Sequence, residues 1–402
     1  MSKLDDLINK LCPDGVEYIS LENCCDYVDY RGKTPKKTDS GIFLITAKNI
    51  RQGYIDYESS KEYVSPDDYE EIMHRGLPEI GDVLFTTEAP CGFVAQINND
   101  KVALAQRVIK YRGHKEILNN SFLKYVLLGK EFQTKLHKMS TGSTVEGIKG
   151  SRLHKMEIPV PPLEVQNEIV RILDNFSSLE VELEAELEAR KKQYEYYRDL
   201  LTEQNHYDLV SLSDITTSVS EKNKGQKCKL AYSITKGGLV PTSEYFKDAK
   251  VTSDDTSGYK IVKKNWFVYS PSRIDVGSIN FHRKDEDVIV SPLNVVFKIN
   301  EDRIDPKYLL FFLLSHKGMF QILNKRLGIE GTGRKMLPYE NFSKIKIPLP
   351  SLSEQQRIVS ILNHFESLCN DINYGLPAEI EARHKQYEYY RDKLLNFKKK
   401  DA

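Results

Sequence analysis

The chain has no excess of either charge: 58 Lys and Arg stand against 58 Asp and Glu, for a formal net charge of zero. A protein that coats nucleic acid by bulk electrostatics needs a basic surplus, so any affinity for DNA must come from local patches or from partners. There is no Cys-x-x-Cys pair. The six cysteines (Cys12, Cys24, Cys25, Cys91, Cys228, Cys369) are scattered, and the adjacent Cys24 and Cys25 are poorly placed for a metal knuckle or an ordinary disulfide. Free thiols in a reducing compartment are expected. No stretch approaches the ~20 apolar residues of a membrane span. The opening Met1-Ser2-Lys3-Leu4-Asp5-Asp6 carries acids where a secretory signal needs an apolar core, so a cytoplasmic protein is expected.

Signatures of chemistry are also missing. No Asn-Pro-Pro-Tyr or Asp-Pro-Pro-Tyr segment offers the amide and ring of an adenine methyltransferase, and no G-x-G-x-x-G follows a strand to receive a cofactor. Gly331-Thr332-Gly333-Arg334-Lys335 lacks the spacing of a phosphate loop. Asp305-Pro306-Lys307 ends like a nuclease site but has no convincing partner acid upstream. The expectation is a non-catalytic protein with no cofactor and no metal of its own.

What the chain does contain is a copy of itself. At 402 residues, 40% of them hydrophobic, it is long enough for two or three domains. Ile158-Pro159-Val160-Pro161-Pro162-Leu163-Glu164-Val165-Gln166 returns 189 residues later as Ile347-Pro348-Leu349-Pro350-Ser351-Leu352-Ser353-Glu354-Gln355. Lys192-Gln193-Tyr194-Glu195-Tyr196-Tyr197-Arg198-Asp199 recurs identically at 385–392, shifted by 193, so a four-residue insertion lies between the two blocks. Tyr18-Ile19-Ser20-Leu21 parallels Leu209-Val210-Ser211-Leu212 more weakly. Each copy then runs in one order, with strand-like segments (81–86 and 102–111; 265–270 and 288–299) followed by a helix (122–137; 308–327).

The repeated blocks open long helices, because proline is tolerated in a helix's first turn but not in its interior. Ser353 and Gln356 read as a capping box in the second copy. Ile169, Leu173, Phe176, Leu179, Leu183, Leu187, Tyr194, Tyr197 and Leu201 fall at spacings of three and four, a coiled-coil seam interrupted at Arg190. The matching seam is Ile358, Leu362, Phe365, Leu368, Ile372, Ile380, Tyr387, Tyr390 and Leu394, interrupted at Arg383. One such helix has nowhere in its own domain to bury its stripe, whereas two can pair antiparallel. A run of about 40 residues spans roughly 60 Å, a rigid spacer. Gly375-Leu376-Pro377 falls in the insertion and predicts a kink or break there. The fold class is therefore α+β: two tandem domains (1–157 and 205–346), each followed by a helical spacer (158–204 and 347–402), with the halves related by a pseudo-twofold duplication.

The I-P-(V/L)-P-(P/S)-L-x-x-Q opening and the A-R-x-K-Q-Y-E-Y-Y-R-D close (189–199 and 382–392) resemble the specificity subunits of type I restriction-modification systems. Leu11-Cys12-Pro13-Asp14-Gly15-Val16-Glu17-Tyr18, Gly32-Lys33-Thr34-Pro35 and Gly81-Asp82-Val83-Leu84-Phe85 are similar to that family too, so the resemblance covers essentially the whole chain. It implies two target-recognition domains, each reading one half-site of double-stranded DNA, with the helices setting the gap between half-sites. It further implies docking of two methyltransferase (modification) subunits supplying S-adenosylmethionine. Motor-nuclease (restriction) subunits would join with ATP, and no membrane is involved. Duplicated halves suit duplicated partners.

Base readout needs Arg, Lys, Asn, Gln or Ser on rigid loops, and phosphate contacts need local positive charge. In the first domain the candidates are the turn carrying Arg31, Lys33, Lys36 and Lys37, the segment with Lys48, Asn49, Arg51 and Gln52, and the glycine-rich loop with Ser143 continuing to Lys149 and Arg152. In the second they are Lys222, Lys224, Lys227, Lys236, Arg273, Arg334 and Lys335. Two other readings stay open at this level. The chain could be a coiled-coil scaffold without specific DNA recognition, or the specificity subunit of a related fused methyltransferase-nuclease system.

Overall fold

A computed structural model describes residues 3–30, 35–99, 101–105, 107–141, 147–235, 237–247, 252–328, 335–370 and 375–400. The chain divides into two compact units, Met1–Leu183 with Ile380–Ala402, and Glu184–Glu379. Among the described residues no helix is long and apolar enough to cross a membrane.

The first unit is built on a four-stranded antiparallel sheet in the order Cys25–Asp29, Val108–Gly113, Val83–Thr87, Cys91–Gln96. Alternation along these strands serves two cores. Val83, Phe85, Ile109 and Tyr111 pack with Phe122, Val126 and Leu136 of two helices, Asn120–Leu128 and Lys130–Met139. Leu84, Ala95 and Val108 point the other way, into a smaller sheet of Tyr63–Val64, Ile42–Ile45 and Val102–Leu104. The second unit repeats this plan with Thr216–Val219, Val295–Ile299, Phe267–Tyr269 and Ile279–Phe281. There Phe267, Tyr269 and Phe297 face the helices Pro306–Leu314 and His316–Lys325, while Val268 and Val296 face Val262, Val288 and Val290. The duplication read from the sequence is thus a duplication of topology, α+β in both copies.

Three expectations about elements are corrected. The segments 102–111 and 288–299 are each two strands in different sheets; in the first copy they break at Arg107, which takes a left-handed φ of 69°. Each long domain helix is two helices, because Gly129 and Ser315 are extended (ψ 146° and 166°). Gly318 seals the second break, since a Cβ there would collide with the Phe312 carbonyl oxygen. The helix at Leu352–Asn370 is capped by Ser351, whose hydroxyl accepts from the Glu354 amide (3.4 Å), so the cap sits two residues before Ser353.

The first spacer is one helix of 40 residues, Leu163–Thr202, whereas the second comprises Leu352–Asn370 and Leu376–Leu394 with Pro377 in the first turn of the latter. The helix starts do find burial in their own domains: Val165, Ile169 and Leu173 are sealed into the first core, Ile358 and Leu362 into the second. Leu179, counted in the seam from spacing alone, is 44% exposed.

Residues far apart in the chain close the first unit. Val16 pairs with Lys399: its amide donates to the Lys398 carbonyl and its carbonyl accepts from the Lys400 amide, both 2.9 Å. Gly15, at φ 105°, allows this approach, because a Cβ there would meet the Lys398 oxygen at 2.6 Å. Tyr18 adds a hydrogen bond from its hydroxyl to the Phe397 carbonyl, and Lys3 of the helix Lys3–Leu11 pairs with Glu168 at 2.8 Å.

Candidate nucleic-acid interface

The repeated motifs fix the frame that carries the surface loops. Gln166 is fully buried; its Oε1 accepts from the Asn119 amide (2.8 Å) and its Nε2 donates to the carbonyls of Ile117 and Pro161 (2.7 Å each). Asn119 in turn caps the helix Asn120–Leu128. Gln355 does the same in the second unit, accepting from the Asp305 amide (2.8 Å) and donating to Arg303 and Pro350. Asp305 caps Pro306–Leu314 and Lys307 pairs with Glu366 (2.9 Å), so the Asp305-Pro306-Lys307 segment is architectural.

The Tyr-Tyr-Arg-Asp ending holds the next helix. Asp392 accepts from the Lys130 amide (3.1 Å) at the start of Lys130–Met139, and Asp199 from the His316 amide (3.3 Å) at the start of His316–Lys325. Within the first unit Phe176 stacks on Tyr390 (5.4 Å, 20°) and Tyr387 meets Tyr125 edge-on. Within the second, Tyr197 stacks on Phe365 (5.3 Å, 21°) and Tyr194 meets Phe311. In each unit the early turns of one spacer therefore run antiparallel to the late turns of the other. Leu183, Leu187 and Ile380 are half-buried, and Ile372 lies outside the described residues. Tyr196 and Tyr389 point outward, 63% and 61% exposed.

Of the basic candidates in the first unit, Arg31, Lys33 and Ser143 lie outside the described residues. Lys36 and Lys48 are exposed, while Lys37 pairs with Glu62 (2.7 Å) and Arg51 with Asp56 (3.6 Å). Asn49 is a correction. It is fully buried, accepting from the amide and hydroxyl of Thr46 and donating to the carbonyls of Asp56 and Ser60. With every hydrogen-bonding position used inside the protein, it shapes the loop and has nothing left for a base. Lys149 is exposed before the short helix Gly150–Leu153, and Arg152 donates to the Met139 carbonyl.

In the second unit Lys222, Lys224, Lys227, Arg273 and Lys335 are exposed, and Lys236 and Arg334 lie outside the described residues. The glycine-rich loops of the two units share a mounting. Thr141 and Gly147 exchange two backbone hydrogen bonds at the base of the first, and Leu327–Gly328 pairs with Lys335–Met336 at the base of the second. Sequence reasoning missed Asn223, 1% exposed beneath the lysines around it. Its signal was Asn-x-Gly inside a lysine run, a turn with a side chain suited to hydrogen-bonding its own backbone.

The family model described as type I restriction modification DNA specificity domain matches this chain twice, at residues 13–190 and 206–382. A type I restriction enzyme specificity subunit from Escherichia coli is 34% identical over 71% of this chain and 73% of its own length. A putative type I restriction enzyme specificity subunit from Haemophilus influenzae is 34% identical over 70% and 74%. The fold is similar to a crystal structure of a type I restriction-modification system S subunit from M. genitalium (TM-score 0.51, 14% identity, 95% and 96% coverage). It is also similar to a chain from a structural study of type I R-M complex assembly and conformational transition (TM-score 0.57, 17% identity, 96% and 99%).

Proposed function

This chain belongs to the type I restriction-modification DNA specificity family, and from that premise we propose that it recognises a bipartite DNA target, one half-site per α+β domain, and directs adenine methylation and restriction by partner subunits. The observation that carries the reading is the contrast between frame and loops in each copy. The framing residues are repeated in kind and in geometry (Gln166 and Gln355, Asp392 and Asp199, the Phe176–Tyr390 and Tyr197–Phe365 stacks). The basic loops that they carry differ in sequence. A protein reading two unlike half-sites needs this division, because phosphate contacts position and loop side chains specify; a symmetric scaffold does not.

The same reading makes the chain non-catalytic, with S-adenosylmethionine and ATP held by its partners. Two methyltransferase subunits would dock on the outward helix faces marked by Tyr196 and Tyr389, which have equivalent edge-on neighbours, Tyr197 and Tyr390, both at 5.4 Å. Aromatic residues with one exposed face are favoured interface anchors. For the DNA face, Lys36, Lys48, Arg51, Lys149, Arg152, Lys222, Lys224, Arg273 and Lys335 are the proposed contacts among the described residues.

The test is a genome-wide map of methylated adenines in the source cell with and without the gene. Loss of one split motif, two short half-sites about a fixed gap, is the expected result. If the methylome is unchanged and no methyltransferase subunit co-purifies with the chain, the reading is wrong.

A further inference from the structure

Directly after Thr216–Val219, the edge strand of its four-stranded sheet, the second unit carries Glu221-Lys222-Asn223-Lys224-Gly225-Gln226-Lys227-Cys228-Lys229. The loop is folded around Asn223. The Asn223 Oδ1 accepts from the Cys228 amide (3.1 Å), and its Nδ2 donates to the Cys228 carbonyl (2.8 Å) and to Thr256 Oγ1 (3.2 Å). Backbone bonds tie it further: Gln226 donates to the Asn223 carbonyl (2.9 Å), Asn223 to Tyr259 (2.9 Å), and Ile261 to Glu221 (2.8 Å). Gly225 and Gln226, at φ 80° and 53°, turn the chain through the left-handed region. A loop closed in this way has little conformational freedom left to lose when a ligand arrives.

On this frame Lys222, Lys224, Lys227 and Lys229 are all exposed, and among the described residues none of the four pairs with a carboxylate. Two nearby acids have other partners. Glu221 pairs with Lys263 (3.0 Å) and Asp255 accepts from the Ser257 amide (2.9 Å). Lys260 lies across an isolated bridge from Lys222, and its ammonium is disfavoured first by burial and then by the charge of Lys222. Holding like charges on a rigid frame is unfavourable in the free protein and is relieved by a polyanion. In the sequence of the first unit a basic run, 31–37, likewise follows the edge strand Cys25–Asp29.

We propose that the Asn223-centred loop is the phosphate clamp of the second unit, with Lys222, Lys224, Lys227 and Lys229 gripping the DNA backbone beside that unit's half-site. Asn223 is a positioning residue that sets their spacing. Lysine suits such a grip, because its ammonium is a compact point charge on a flexible stem and needs no fixed planar geometry to meet a phosphate. The clamp rests on the specificity-subunit reading and adds a division of labour to it, in which this loop supplies affinity and register and does not choose bases.

The experiment compares the full chain, in complex with its co-purifying methyltransferase subunit, with a variant carrying K222Q, K224Q, K227Q and K229Q together. Binding is measured across a salt series on a duplex bearing the mapped motif and on a scrambled duplex. The slope of log affinity against log salt should become shallower by about one per lost phosphate contact, so by roughly 3 to 4. Affinity for both duplexes should fall by the same factor, and the methylated motif should stay unchanged. Asn223→Ala, with all four lysines retained, should also flatten the slope. An unchanged slope in the four-lysine variant overturns the clamp, as does a loss confined to the motif duplex with an altered methylation motif. Failure of the underlying reading looks different: the unsubstituted complex would then not prefer the motif duplex, and both inferences would fall together.

Discussion

Gln166 and Gln355 show how much one buried amide can organise. Each satisfies a helix-capping residue's amide and two loop carbonyls at a position with no access to water. Replacing either with Leu keeps the volume but orphans those three backbone groups, and a buried unsatisfied group costs about 1–3 kcal/mol. Gln166→Leu and Gln355→Leu should each destabilise the chain by about 2–4 kcal/mol, read as a lower urea midpoint. A change below about 0.5 kcal/mol, the range of ordinary surface substitutions, would contradict this bracing role. Glu168 offers a pH signature. Arg171 first, and Lys3 second, hold its carboxyl down to about 2. A carboxyl lowered in the folded state contributes stability that is present above the ordinary value of 4.5 and is lost as pH falls towards 2. The contribution is small, because Arg171 and Lys3 are exposed and screened. Urea midpoints should fall across that window in the unsubstituted chain and fall less in Glu168→Gln; equal slopes would remove Glu168 as the cause.

At the scale of elements, the Tyr-Tyr-Arg-Asp endings act as caps for helices that belong to the neighbouring stretch of fold. Losing such a cap costs about 1 kcal/mol. Asp392→Ala should therefore loosen Lys130–Met139 and Asp199→Ala should loosen His316–Lys325, each by about that amount. The double variant should give the sum, as expected for sites without shared partners; amide hydrogen exchange on each helix would show which one has frayed. The two long helical spacers, the Pro377 break and the duplicated topology were legible in the sequence, because spacing of three and four, proline chemistry and repeated motifs are local signals. The helix breaks at Gly129 and Ser315 were not, since each depends on how the following helix packs. Nor was the role of Asn49: lysines and an arginine around an asparagine look like a DNA-facing loop until the carbonyls of Asp56 and Ser60 fold back onto its amide. Likewise, spacing cannot say that Ile169 and Leu173 face their own domain while Leu179 faces solvent.

At the scale of the whole molecule, the separation of a repeated frame from unlike loops predicts modular specificity. Exchanging residues 1–155 for the corresponding domain of another family member should change one half of the methylated motif and leave the other half and the gap intact. If both halves changed, as read by methylome sequencing, the domains would not be independent readers. The helix faces give a second outcome. Tyr196→Ala with Tyr389→Ala should weaken retention of the methyltransferase subunit in a pull-down without lowering the urea midpoint, since both rings are more than half exposed.

The composition of the two units also bears on how the chain is made. The second unit is one continuous stretch, Glu184–Glu379, while the first is incomplete without Ile380–Ala402. Domains usually mature in the order in which they leave the ribosome. Here that order is inverted: the domain synthesised first must wait, with the Val16 backbone, the Tyr18 hydroxyl and the Lys130 amide unpartnered, until the residues that meet them have emerged. During that interval a chaperone would find the open Val16 backbone and an uncapped helix start on the first domain, which closes only once Ile380–Ala402 has cleared the ribosome.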